Sequence, residues 1–226
     1  MNDVGVTNDE VFRAIRDMVA TGDYCDLRYE RAEGPELEQP TRRPDGTIDQ
    51  QEIMRWWNHR PERVQVIRGT KAYLAAFDRG LLEALPALEP APVEAVDDAE
   101  QAMGLQLPSL LRRLYLEVAN GGFGPDDGIM GVYGGAIGEV GNLVETNLSL
   151  LDDPGYRDEV PDGLMWFHDW GCAIASLIDC NTPDGRIWHW DPNVENNEQT
   201  LKPRTMSLSD WFTHWIDRRL EVGLPL

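Results

Sequence analysis

The stretch Leu107-Pro108-Ser109-Leu110-Leu111-Arg112-Arg113-Leu114-Tyr115-Leu116-Glu117-Val118-Ala119-Asn120-Gly121-Gly122-Phe123-Gly124-Pro125 sets how the rest of this chain is read. Pro108 suits the first turn of a helix, where its missing N–H has no intrahelical partner to lose. Leu110, Leu111, Leu114, Tyr115 and Val118 then recur on one helical face, which predicts a core-facing helix. Asn120, Gly121 and Gly122 accept the left-handed backbone that ends a helix, and Phe123 is placed to fold back over the stop. With no Lys nearby, and with Asp126 and Asp127 following directly, these glycines read as a helix stop rather than a phosphate cradle.

Upstream, residues 93–103 form an acidic amphipathic helix with Val93, Val96, Ala99 and Met103 inward, stopped by Gly104. Downstream, residues 129–133 read as a short strand. Residues 140–151 read as a helix with Leu143, Val144, Leu148 and Leu151 inward, ended by Pro154-Gly155. Residues 164–168, 173–179 and 186–191 read as strands. The turns Pro161-Asp162-Gly163 and Pro183-Asp184-Gly185 punctuate them into an antiparallel meander. Ser207 caps a closing helix of Leu208, Trp211, Phe212, Trp215, Ile216 and Leu220, with Asp210 at the reciprocal capping position.

The N-terminal part is less regular. Thr7 and Glu10 have capping-box spacing before a stripe of Val11, Ile15, Met18 and Val19. Residues 23–48 are turn-rich, with at most one short strand. Residues 49–58 read as a short helix, 63–67 as a strand, and 70–85 as a helix closed by Pro86. The expected organisation is an N-terminal helical extension over residues 1–88, followed by an α+β domain over 89–226. In that domain an antiparallel sheet meander packs against helices.

Charge narrows the function. The chain has 40 acidic and 20 basic residues, a net of −20. Residues 1–88 hold 12 Lys or Arg against 16 Asp or Glu, a net of −4, and residues 89–226 hold 8 against 24, a net of −16. Such a field repels nucleic acid and anionic lipid and steers a basic protein partner inward. No run reaches the roughly 18–20 apolar residues of a membrane span, and Met1-Asn2-Asp3-Val4 has neither a basic start nor a following apolar stretch. A cytoplasmic location is expected. Cys25, Cys172 and Cys180 are an odd, sparse set without CxxC spacing, so buried free thiols are expected.

Five motifs occur in an order that resembles the SUKH superfamily, the group that includes the yeast Smi/Knr-type cell-wall assembly regulator. They are Gly104-Leu105-Gln106-Leu107-Pro108, Asn120-Gly121-Gly122-Phe123, Ile129-Met130-Gly131-Val132-Tyr133, Asp169-Trp170-Gly171-Cys172 and Ile187-Trp188-His189-Trp190-Asp191. The resemblance covers about residues 93–220 and implies a SUKH-like fold that binds protein without enzymatic activity and without a cofactor. Many bacterial members look like immunity proteins, which neutralise a cognate toxin, frequently a nuclease; others are regulators or scaffolds. The partner expected here is a basic toxin domain of a bacterial polymorphic toxin system, with a regulatory or scaffold role as the alternative. The oligomeric state is left open.

The acidic residues expected to form the contact face are Asp126, Asp127, Glu139, Asp152, Asp153, Asp158, Glu159 and Asp169, with Trp170 as an aromatic anchor among them. No metal is expected. His168, Asp169, Cys172, Cys180, His189 and Asp191 fall along the meander, but His189 alternates with Trp188 and Trp190, and both cysteines sit in an apolar hairpin. No nucleophile elbow, phosphate loop, dinucleotide-binding glycine pattern or His-Glu-x-x-His run occurs. The indoles of Trp166, Trp170, Trp188, Trp190, Trp211 and Trp215 read as core between sheet and helix, with a sugar- or ligand-lining groove as the alternative. A ligand-lined pocket holding close carboxylates would favour a glycan- or small-molecule-acting enzyme, and an acidic, pocketless face would favour an inhibitor.

Overall fold

The polar starts and apolar stripes read from the sequence become capped helices in the computed structural model, which describes residues 7–25, 27–31, 49, 51–52, 63–67, 70–82, 85–138, 141–194 and 200–220. The chain divides into two compact units, Met1–Asp26 with Pro86–Leu226, and Leu27–Leu85. The first helix therefore falls in the same unit as the C-terminal part.

In the smaller unit, β1 (Leu27–Arg31) and β2 (Arg63–Ile67) pair antiparallel from Leu27↔Ile67 to Arg31↔Arg63. Helix α2 (Lys71–Asp78) packs beside β2; the Thr70 hydroxyl accepts the Tyr73 N–H as its cap. Residues 51–52 are helical, and the rest of the helix expected over 49–58 lies outside the described residues, Asp49 excepted.

The larger unit opens with α1 (Asn8–Ala20), closed by the expected reciprocal cap between Thr7 and Glu10. Its stripe of Val11, Phe12 and Ile15 is buried. It packs on α4 (Ser109–Glu117) and on the closing helix α7 (Leu208–Ile216). Arg113 of α4 lies 3.7 Å from the centre of the Phe12 ring, with its Nη1 2.6 Å from Asp9. Helix α3 (Val93–Met103) ends at Gly104 in the left-handed conformation, as its sequence requires. Buried Glu100 links α3 to α4 by accepting the Leu107 N–H at 2.8 Å and the Arg112 Nε at 3.4 Å.

After α4 the chain is held by side-chain and glycine packing instead of a strand. Residues 129–133, expected as a strand, are irregular. Buried Asn120 takes the role of a neighbouring strand: its Oδ1 accepts the Val132 N–H at 2.8 Å and its Nδ2 donates to the Tyr133 carbonyl at 3.1 Å. The backbones approach so closely that a Cβ on Gly131 would lie 2.2 Å from the Asn120 carbonyl oxygen, and one on Gly121 2.4 Å from the Gly131 nitrogen. The glycines thus serve as much to let two chain segments touch as to end α4.

Helix α5 (Leu143–Asp152) starts at an Asn142–Glu145 capping box. Leu143 and Val144 are buried, whereas Leu148 and Leu151, expected inward, are exposed. Pro154-Gly155 does not end the helical region. Asp153 caps a further short helix, α6 (Pro154–Glu159), accepting the Gly155 N–H at 2.8 Å while Pro154 fills the first turn.

The sheet follows as β3 (Leu164–Gly171), β4 (Ile174–Asp179), β5 (Arg186–Trp190) and β6 (Leu201–Pro203), in that order and antiparallel throughout. The fold is α+β, as expected, with the three-residue β6 as an addition to the meander. Register shifts between Trp166 and His168 and between Asp169 and Gly171 break the alternation of β3. The Asn147 side chain of α5 lies along β3 and bonds both the N–H and the C=O of Trp166, at 2.9 and 2.8 Å. Helix α7, with its Ser207–Asp210 cap, buries Trp211, Phe212 and Trp215 against the sheet and α1. No helix among the described residues is long and apolar enough to cross a membrane.

Candidate functional site

The α5–α6 connection and strands β3 and β5 enclose a cleft of about 490 Å³. Its aromatic lining is Tyr156, Trp166 and Trp190, all buried. The Tyr156 ring centre lies 5.3 Å from that of Trp190 and 6.3 Å from that of Trp166. Asp153, Glu159 and Asp169 add three carboxylates, and among the described lining residues none is Lys, Arg or His.

Local structure fixes two of these acids. Asp153 Oδ1 is held by the Gly155 N–H at the start of α6, and Asp169 Oδ1 accepts the Gly171 N–H at 2.7 Å. Each keeps its second oxygen outside those bonds. The β-bulges place Trp166 and Asp169 on the cleft, while Phe167, His168 and Trp170 contact Trp211 of α7, with ring centres 5.0, 5.5 and 6.4 Å from it. At the rim, the two-residue turn between β3 and β4 holds Cys172 and Ala173 at φ 53° and 62°, conformations that L side chains disfavour. Asn193 Nδ2 bonds the Cys172 carbonyl at 2.9 Å and secures that tip.

Of the nine residues expected to contact a partner, the cleft therefore gathers Asp153, Glu159 and Asp169. Asp152 and Asp158 are exposed neighbours of it along α5 and α6 but do not line it. Asp126, at φ 49°, and exposed Asp127 lie in the turn from Pro125 to Gly128, apart from the cleft lining. Glu139 lies outside the described residues. Trp170 is half-buried, its indole N–H donating to Ser176 Oγ at 2.9 Å and its ring 4.4 Å from that of His168. It is a packing residue of the sheet rather than the exposed aromatic anticipated. Sequence reasoning missed Tyr156, because Pro154-Gly155 read as a stop and left that residue in a loop. Trp166 and Trp190, expected mainly as core, are buried and also line the cleft.

The metal-ligating residue types along the meander do not converge. Burial lowers the His168 pKa to about 3, with Nδ1 facing the Gly128 carbonyl at 3.3 Å. Burial pushes the Cys180 thiol up to about 12, Cys172 is exposed at the hairpin tip, and half-buried His189 is lowered first by burial and then by Arg204. Among the described residues no group of three or more His, Cys, Asp or Glu is placed to hold a metal ion.

A comparison with curated proteins finds no match. The sequence model of the SMI1 / KNR4 family (SUKH-1) matches residues 90–214, the stretch from the start of α3 into α7 that contains the Asn120 turn, the whole sheet and the cleft. With more than half of its length matched, the chain belongs to the SMI1 / KNR4 family (SUKH-1).

Proposed function

We propose that this chain is a non-enzymatic protein-binding domain that holds a basic partner, and that it acts as an immunity protein neutralising a cognate toxin, a nuclease among the candidates. One observation carries the reading. Three carboxylates expected as contact residues line one cleft with no basic residue among its described lining residues, on a domain whose 89–226 region bears a net of −16. A nuclease is basic where it grips phosphate, so such a surface complements it and accelerates encounter. The family membership is consistent with a binding role. Location in the cytoplasm and a bacterial source belong to the same proposal.

Co-expression with the toxin encoded by a neighbouring gene tests the reading: growth is expected to be rescued. Reversing Asp152, Asp153, Asp158 and Glu159 to Lys, with folding checked by circular dichroism, is expected to abolish that rescue. Continued lethality beside the unaltered protein refutes the immunity role for that pair.

A second reading rests on the same cleft: a pocket holding carboxylates is the feature expected of a glycan- or small-molecule-acting enzyme, and carboxylates beside aromatic side chains suit a sugar. Two of the three carboxylates are committed through Oδ1 to backbone groups, which favours a fixed acidic surface over a mobile proton carrier. Release of reducing sugar from an oligosaccharide panel by the purified chain, lost in Glu159→Gln, would establish the enzyme instead.

A further inference from the structure

We infer that the cleft between α6 and β3 is an arginine receptor, taking one arginine side chain of a protein partner with the peptide on either side of it. The inference rests on the reading of the chain as an acidic protein-binding domain and specifies what that domain grips. Three features of the cleft select this ligand. Its carboxylates, Asp153, Glu159 and Asp169, come without a neutralising cation among the described lining residues, so their charge attracts a cationic guest over a neutral or anionic one. Its lining includes Tyr156, Trp166 and Trp190, and beside aromatic rings a planar, weakly hydrated guanidinium packs more favourably than a compact, strongly hydrated ammonium. Its volume of about 490 Å³ exceeds that of a single side chain and lies within the range of small-ligand sites, so it admits the arginine with adjoining backbone.

A guanidinium brings five N–H donors for the carboxylate oxygens that line the cleft. Asp153 and Asp169 are already oriented by the Gly155 and Gly171 N–H groups, so little side-chain freedom is lost when a guanidinium docks on their remaining oxygens.

The test uses the whole chain and the capped peptide acetyl-Gly-Arg-Gly-amide. Binding is read from tryptophan fluorescence and from the indole N–H resonances, assigned with Trp166→Phe and Trp190→Phe. Peptides carrying citrulline, the uncharged isostere, or norleucine serve as controls, as does chitotriose. Saturable binding of the arginine peptide is expected, at least tenfold tighter than the citrulline peptide and weakened by salt. Asp153→Asn, Asp169→Asn and Glu159→Gln are each expected to weaken it about tenfold. The two Asn substitutions retain an acceptor for the backbone N–H, which keeps the cap and the turn. Absence of saturable binding, equal binding of citrulline, unaffected neutralised variants, or chitotriose bound in preference to arginine would each overturn the inference. No toxin enters this measurement, so a failure of growth rescue with arginine binding intact refutes the immunity role alone, and the reverse outcome refutes the arginine receptor alone.

Discussion

At Asn120 one amide group satisfies the backbone of residues 132 and 133, a task normally shared by a whole strand. Asn120→Ala leaves a buried N–H and a carbonyl without partners, and a loss of about 2–4 kcal/mol is expected in urea unfolding. His168 carries a pH dependence of definite sign. Its folded pKa of about 3 lies below the ordinary value of about 6.5, so between these the unfolded chain binds a proton that the native chain does not. The His168 contribution is therefore constant above about pH 6.5, and the native state loses up to about 1.4 kcal/mol per pH unit on acidification below it. His168→Gln is expected to flatten that part of the stability profile relative to the wild type. The residue scale was the least legible in the sequence. Asn120 and His168 are ordinary polar letters until their distant neighbours are known, and the two bulges in β3 decide which of Trp166, Phe167, His168 and Asp169 meets the cleft.

Elements with local signals were readable, because the signal and its cause lie within one turn of chain. The caps Thr7–Glu10 and Ser207–Asp210, the Gly104 stop and the three long strands of the meander all needed nothing beyond neighbouring residues. Pro154 was misread because a proline fits both after a helix and at the start of one, and only the Asp153 contact to Gly155 separates these. Replacing that aspartate by Ala is expected to cost about 1 kcal/mol, and by Asn only a few tenths, as measured by thermal unfolding. The β3–β4 turn should respond in the opposite direction. Ala173→Gly relieves a left-handed conformation at φ 62° and is expected to raise stability by up to about 1 kcal/mol, a shift of about 2–4 °C in Tm. Exposed Leu148 and Leu151 belong to the same scale: their helical spacing was read correctly, but the helix buries a narrower stripe than the pattern allows.

For the molecule as a whole, the family-matched region does not contain the entire core. Phe12 is 4% exposed and lies beneath Arg113, although α1 precedes residue 90 by a long stretch of chain. Phe12→Ala is expected to destabilise the larger unit by about 3–5 kcal/mol, with loss of near-ultraviolet tryptophan circular dichroism at lower urea concentration. The domain class and its acidity were evident from the order of motifs and from composition. The joining of α1 to the core was not, because a short amphipathic helix does not reveal in its own letters which surface it covers. The placement of Asn147 along β3 has a further consequence. A strand whose outer N–H and C=O groups at Trp166 are already taken cannot lend them to an incoming chain, and at the opposite margin β6 is three residues long and ends in Pro203, which has no N–H to offer. Sheet extension by a guest strand is thereby disfavoured at both margins, leaving recognition to side chains and conferring resistance to edge-to-edge self-association.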